Sequence, residues 1–209
     1  METPPTTDPL HRYVSLFAGD RGATVFSDGL GEYEAGPDGL VFVTLVRAVS
    51  ELSRNNLPER PGHAGWPTHT PEAQCHGPFG AELAVMLHGG RTSAVIDEIE
   101  RTADDVLLPL TGASLRSALA LPDERFGVAL DGEGLACSAI TTSQDAEWLV
   151  LRCTNLTDEV RRGAWTVGFE IAEAQLARLD ETPLGVVAGS GNRVEFTAPA
   201  RTVVTLLVR

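Results

Sequence analysis

A mainly β protein, an antiparallel β-sandwich architecture with one short helix, is what this 209-residue sequence predicts. Three observations carry that expectation. Apolar runs recur along most of the chain between turns rich in Gly, Asp or Pro, at roughly the 8–12-residue spacing of sandwich strands. Only one stretch shows the three/four spacing of an amphipathic helix. The last run, TVVTLLV, is apolar enough to lie centrally in a sheet. At 43% hydrophobic residues the chain can bury a real core, as one large β domain or two small ones.

Taken in order, residues 1–11 are polar and Pro-rich and read as a disordered leader. Strands are expected at 13–19 and 23–29, punctuated by Gly-Asp and Asp-Gly turns, and at 32–34 before a turn at 36–39. Residues 40–49 form a nearly continuous apolar run, as in a strand buried on both faces. A polar, Pro- and Gly-rich loop fills 52–77, and a second long strand covers 79–88. The helix spans 93–107, with Val95, Ile96, Ile99, Ala103, Val106 and Leu107 on one face. Thr92 or Ser93 can cap its start, and Pro109 and Gly112 end it. Further strands are expected at 126–130, 135–142, 147–155, 164–171, 174–179, 185–187, 193–197 and 202–208. The chain thus divides into the leader (1–11), a first β part (12–112) and a C-terminal β-sandwich (113–209).

A net charge of −13 argues against a nucleic-acid partner, which needs a basic face. No apolar run approaches the roughly 20 residues of a membrane span, and the N-terminal residues lack the pattern of a signal peptide. Three cysteines, an odd number at spacings unlike a disulfide framework, imply no oxidising compartment. The expectation is a soluble cytoplasmic protein.

No catalytic set emerges from the residues. There is no GxSxG elbow, and Cys137 and Cys153 lie in apolar strands and read as core. Cys75 has His76 beside it, but sequence adjacency does not make a nucleophile. Glu32 and Glu34 share one face of a short strand and read as a solvent-facing edge. His63, His69, Cys75 and His76 fit no familiar zinc spacing, so no metal site is expected.

The loop at 52–77 is the anomaly. It is too long for an ordinary connection, and its four prolines exclude a continuous helix or central strand. Arg54, Asn55, Asn56, Arg60, His63, Trp66 and Gln74 supply planar hydrogen-bonding groups and one aromatic ring, a set that suits sugar hydroxyls and a pyranose face. The same groups can instead satisfy the loop's own backbone. Composition does not choose between these.

TLVRAVSELSRNNLPERPGHAGWPTHTPEAQCHG resembles the C-terminal half of bacterial glycoside hydrolase family 38 α-mannosidases, where a TLxRxVGxLSR strand precedes an RPGHAG-like stretch and TPxAQCxG. VFSDGLGEYE upstream, LACSAITTSQDAEWLVLRCTNLTDE downstream and the final LDETPLG…VEFTAPARTVVTLLVR are similar to flanking segments of the same family. The resemblance covers roughly residues 12–209. It implies a supersandwich-like first part followed by a smaller sandwich. It also implies that the family's catalytic machinery, a β/α barrel with a His-x-Asp zinc motif and an Asp nucleophile, is absent here. None of the five histidines begins a His-x-Asp, and no α/β region of about 250 residues is present to form a barrel. No cofactor is therefore expected in this chain, the zinc belonging to the missing catalytic domain. The resemblance further implies that the 52–77 loop reaches towards that barrel and helps line a mannoside site, with Arg60 first and Arg54 second as the contributing arginine. Asn55 and Asn56 stand where relatives carry acidic residues. Expected partners are the catalytic barrel domain and a mannose-containing glycan. The alternatives are a free-standing carbohydrate-binding module, with Trp66 and then Trp148 or Trp165 as the platform, and a purely structural or oligomerisation domain.

Overall fold

The computed structural model describes residues 6–58, 60–63, 65–112, 114 and 127–209. The chain forms two compact units. One comprises Met1–Gly90 and Ala103–Pro109, the other Arg91–Thr102 and Leu110–Arg209. Among the described residues no helix is long and apolar enough to cross a membrane.

In the first unit, β1 (Thr7–Pro9), β4 (Glu32–Ala35) and β5 (Val41–Val43) form one antiparallel sheet in the order β1-β4-β5. A second sheet is β2 (Tyr13–Ala18), β3 (Arg21–Ser27) and β8 (Leu83–Gly89), in that order. β6 (Glu51–Leu52) and β7 (Thr68–His69) make a two-stranded ladder. The β2–β3 hairpin follows from the Gly19-Asp20 turn, with Gly19 at φ 64°. Phe26 and Thr24 are fully buried on one face of this sheet. Phe26 packs edge-on against its cross-strand partner Tyr13, with ring centroids 5.8 Å apart.

Two expectations are corrected here. Residues 7–9 of the expected disordered leader form β1, and Leu10 behind them is buried. The long strand expected over 40–49 reduces to β5, and its apolar residues Leu40, Phe42, Leu45, Val46 and Val49 are exposed rather than buried. The physical reason is pairing: the Thr44 amide still donates to the Glu32 carbonyl of β4 at 3.0 Å, but the ladder with β4 ends there. Similarly, strand pairing in the expected 79–88 run begins only at Leu83.

Helix α1 (Ser93–Leu107) has the expected bounds. The Thr92 hydroxyl accepts a hydrogen bond from the Val95 amide at 3.2 Å and caps the helix. Ile99 and Ala103, four residues apart, are its buried stripe, and Arg101 pairs with Asp97 on the solvent side. Residues through Thr102 group with the second unit.

The second unit contains the β-sandwich. One sheet holds β10 (Leu135–Thr142), β11 (Leu149–Asn155), β17 (Val203–Val208), β13 (Ala174–Ala177) and β14 (Pro183–Val186), in that spatial order. The other holds β15 (Gly189–Ser190), β16 (Arg193–Ala198), β12 (Arg161–Val167) and β9 (Val128–Asp131). Every pairing is antiparallel. Residue 126, at the start of the strand expected at 126–130, lies outside the described residues.

The core lies between the sheets. Leu151, Cys153, Val204, Leu206 and Val208 from one meet Trp165, Val167, Val194, Phe196 and Ala198 from the other. Between β11 and β13, β17 is central as its composition predicts, and its opposite face packs Leu207 against Val150 and Ala177. Trp165 is core. Trp148 is half-buried beneath the Arg209 guanidinium, 4.2 Å above its ring.

Candidate functional site

The 52–77 loop is a closed lobe with a defined neck. Glu51 pairs with His69 and Leu52 with Thr68, so β6 and β7 bring its two ends together. The neck is extended by the Thr70 amide donating to the Ser50 carbonyl at 2.9 Å and the Thr70 hydroxyl to the Val49 carbonyl at 3.1 Å. His69 Nδ1 lies 3.5 Å from a Glu51 carboxylate oxygen across the same rung. After the neck, Pro71–Gln74 makes a single 3₁₀ turn that ends on Cys75 in the left-handed region, φ 52°.

Within the lobe the chain doubles back. Asn56 bridges Pro61, the Gly62 amide donates to the Asn55 carbonyl at 3.0 Å, and the Arg60 amide donates to the Leu57 carbonyl at 3.2 Å. This turn is dictated by Pro58 and Pro61, which cannot continue a ladder. Nearer the neck, Gly65 has φ 136°, and a Cβ there would sit 3.1 Å from Ser53 Oγ. Only glycine suits both the backbone and that approach. The contact puts Arg54 and Trp66 each one residue from the point where the two arms touch.

Among the candidate residues, Arg54 Nε donates to Asn56 Oδ1 at 2.7 Å. Asn55, Asn56, His63 and Trp66 are exposed with Arg54, and Trp66 is 87% accessible. Arg60 is half-buried in the turn. Gln74 stands apart in the 3₁₀ turn beyond the neck, its Nε2 buried and without a hydrogen-bond partner. Arg54, Asn55, Asn56, His63 and Trp66 thus lie on the outside of the loop, while Arg60 and Gln74 are partly covered.

The metal question can be tested on geometry. His69 faces Glu51, and among the described residues no three His, Cys, Asp or Glu side chains converge in a way that would hold an ion. The donors in and around the lobe do not fit zinc.

Three polar arrangements escaped sequence reasoning. Glu32, expected on a solvent-facing edge, accepts a hydrogen bond from the Thr44 hydroxyl at 2.9 Å and pairs with Arg47 at 3.4 Å. These line a cleft of about 280 Å³ with Gly29, Leu30, Gly31 and Leu45. The signal was present, since Arg47 is the arginine of the TLVRAV run itself. The second arrangement is His88, whose ring lies over Gly22 and 5.0 Å from the Phe17 ring. Its Nδ1 donates to the Gly89 carbonyl at 2.8 Å, which leaves Nε2 to accept from the Thr24 hydroxyl at 2.9 Å, itself 2.7 Å from Ser15 Oγ. Both ring nitrogens are satisfied, so this is a structural histidine. The third lies in the second unit, where Asp131, Arg162, Arg193 and Glu195 line a cleft of about 620 Å³ and Arg193 neutralises Asp131.

No family model matches the sequence. A curated relative, a putative mannosylglycerate hydrolase of Halalkalibacterium halodurans, is 32% identical over 165 residues, which is 74% of this chain and 17% of that protein. Among solved structures, a glycosyl hydrolase family 38 protein from Enterococcus faecalis aligns over 100% of this chain and 23% of its own, with TM-score 0.75 and 22% identity. This chain has the fold of a segment of glycosyl hydrolase family 38 proteins. An α-mannosidase from Enterococcus faecalis V583 repeats the match, over 99% of this chain and 22% of its own, with TM-score 0.72 and 24% identity. By fold the chain is thus similar to a segment of a family 38 protein and of an α-mannosidase, and by sequence to a segment of a putative mannosylglycerate hydrolase. The chain spans less than a quarter of the length of each of these relatives.

Proposed function

We propose that this chain is a non-catalytic β region, the C-terminal one, of an α-mannosidase-like glycoside hydrolase. It supports a catalytic barrel domain and contributes the 52–77 lobe to recognition of a mannose-containing glycan. One observation carries the reading. In a fold that accounts for about a fifth of family 38 chains, the most distinctive sequence stretch forms a necked lobe presenting Arg54, Asn55, Asn56, His63 and Trp66 outward. Arg60, held in the turn of that lobe, is the residue assigned to the sugar side. Zinc belongs to the catalytic partner in this reading, and the setting is cytoplasmic.

The test is hydrolysis of an aryl α-mannoside by the chain alone and by the chain joined to a family 38 barrel. The chain alone is expected to release no product. The joined protein is expected to be active, with Arg60→Ala raising KM more than it lowers kcat. Zinc-dependent turnover by the isolated chain would sink the proposal.

The exposure of Trp66 favours a second reading, a carbohydrate-binding module with Trp66 as its platform. Calorimetric titration with mannose oligosaccharides separates the two. Binding by the isolated chain that disappears in Trp66→Ala supports the module, and no binding supports the domain.

A further inference from the structure

We infer that the outer face and free edge of β8, together with the apolar segment 40–49, are a docking surface completed by β-strands of a second polypeptide of the kind that makes up the rest of family 38 proteins. The inference rests on the proposed function above and names the surface through which that partner is held.

Side chains along β8 alternate, so Leu83, Val85 and Leu87 share one face. They are 47%, 67% and 81% exposed. On the other face, Ala84 and Met86 stand opposite Phe26 and Thr24, both buried. A strand with one wet face alternates apolar and polar residues, whereas LAVML is apolar on both, the pattern of a strand covered on both sides.

The apolar face continues across the sheet. Leu16, Ala23 and Leu87 form one cross-strand row, and this row lines a cleft of about 670 Å³ with the Gly36–Gly39 turn. β8 is also an edge, neighbouring only β3 among the described residues. Natural edges are blunted by Lys, Pro, bulges or inward charges, and LAVML has none of these. Segment 40–49 repeats the case: five exposed large apolar residues on a backbone that pairs as a strand only over Val41–Val43.

A protein strand is the ligand that fits both an open ladder edge and a row of apolar side chains at two-residue spacing. A second copy of this chain is disfavoured by charge, since it would bring two chains of net charge −13 together. The remaining polypeptide of family 38 proteins is available in length, because relatives exceed this chain more than fourfold.

The experiment combines hydrogen exchange with complementation. In the isolated chain, β8 amides are expected to exchange at least about tenfold faster than those of β11 and β17, with uptake of an apolar-surface dye. The probe for complementation is the Halalkalibacterium relative lacking its matched region, co-expressed with this chain. A one-to-one complex is expected, in which β8 exchange slows by about tenfold. Val85→Asp with Leu87→Asp is expected to abolish the complex, whereas Val160→Asp, exposed in the second unit, leaves it intact. Circular dichroism verifies that the variants are folded, and Val85→Thr, milder, is expected to weaken the complex. A complex indifferent to the β8 substitutions overturns the surface and leaves the domain reading standing. Absence of any complex overturns both. Slow β8 exchange in a dye-free monomer, or protection of β8 in a homodimer, overturns the surface alone.

Discussion

Asn155 shows how much one side chain organises. It is fully buried, and its Nδ2 donates to the carbonyls of Glu159, Ala198 and Pro199 at 2.7–3.0 Å. Its Oδ1 accepts from the Thr157 amide and hydroxyl at 2.9 and 2.8 Å. The amide therefore ties the β11–β12 turn to the end of β16. Asn155→Asp replaces a donor with an acceptor facing carbonyl oxygens, and a loss of about 3 kcal/mol or more is expected in denaturant unfolding. Asn155→Ala should cost about 2 kcal/mol.

Nearby Asp158 lies between Arg91 and Arg201, whose hydrogen bonds hold its carboxyl down at about 2. Because the folded pKa is depressed, the ion group adds stability above the unfolded carboxylate value near 3.9, and this is lost as pH falls towards about 2. The Tm difference between wild type and Asp158→Asn should shrink across that window. The group is solvent-exposed, so the difference should also be small and salt-sensitive.

At the scale of elements, burial on both faces separates β17 from β8. Both are apolar runs, but β17 has neighbours on both edges and a core on each side, whereas β8 has one neighbour and an open face. Leu206→Ala in β17 should therefore cost about 2–5 kcal/mol, as for other buried leucines. Leu87→Ala in β8 should cost little in the isolated chain. Thermal unfolding of the two variants tests the contrast. The bounds and cap of α1 were legible because they are local signals, whereas Val106, expected on the apolar face, is 48% exposed. The 40–49 run was misread because a strand is defined by its partner, and none of its own residues encodes whether one is present.

For the molecule as a whole, the chain divides into two compact units, and the second holds a contiguous core around Trp165, Leu151 and Leu206. Denaturant titration should accordingly show two transitions, the later one carrying the fluorescence change of Trp165, buried in the second unit. A single transition reported alike by Trp165 and by far-UV dichroism would count against this.

By itself the sequence determined the sandwich, the helix and its bounds, the central place of β17 and the resemblance to family 38, because turn residues, caps and apolar periodicity act over a few residues. It also singled out the 52–77 lobe, since four prolines and a cluster of polar planar groups are visible without coordinates. Only the tertiary structure decided which of those groups face outward, that β6 and β7 close the neck, and that Glu32 meets Thr44 and Arg47. Those outcomes depend on contacts between residues distant in the chain, and such contacts are chosen by packing and pairing rather than by any local preference.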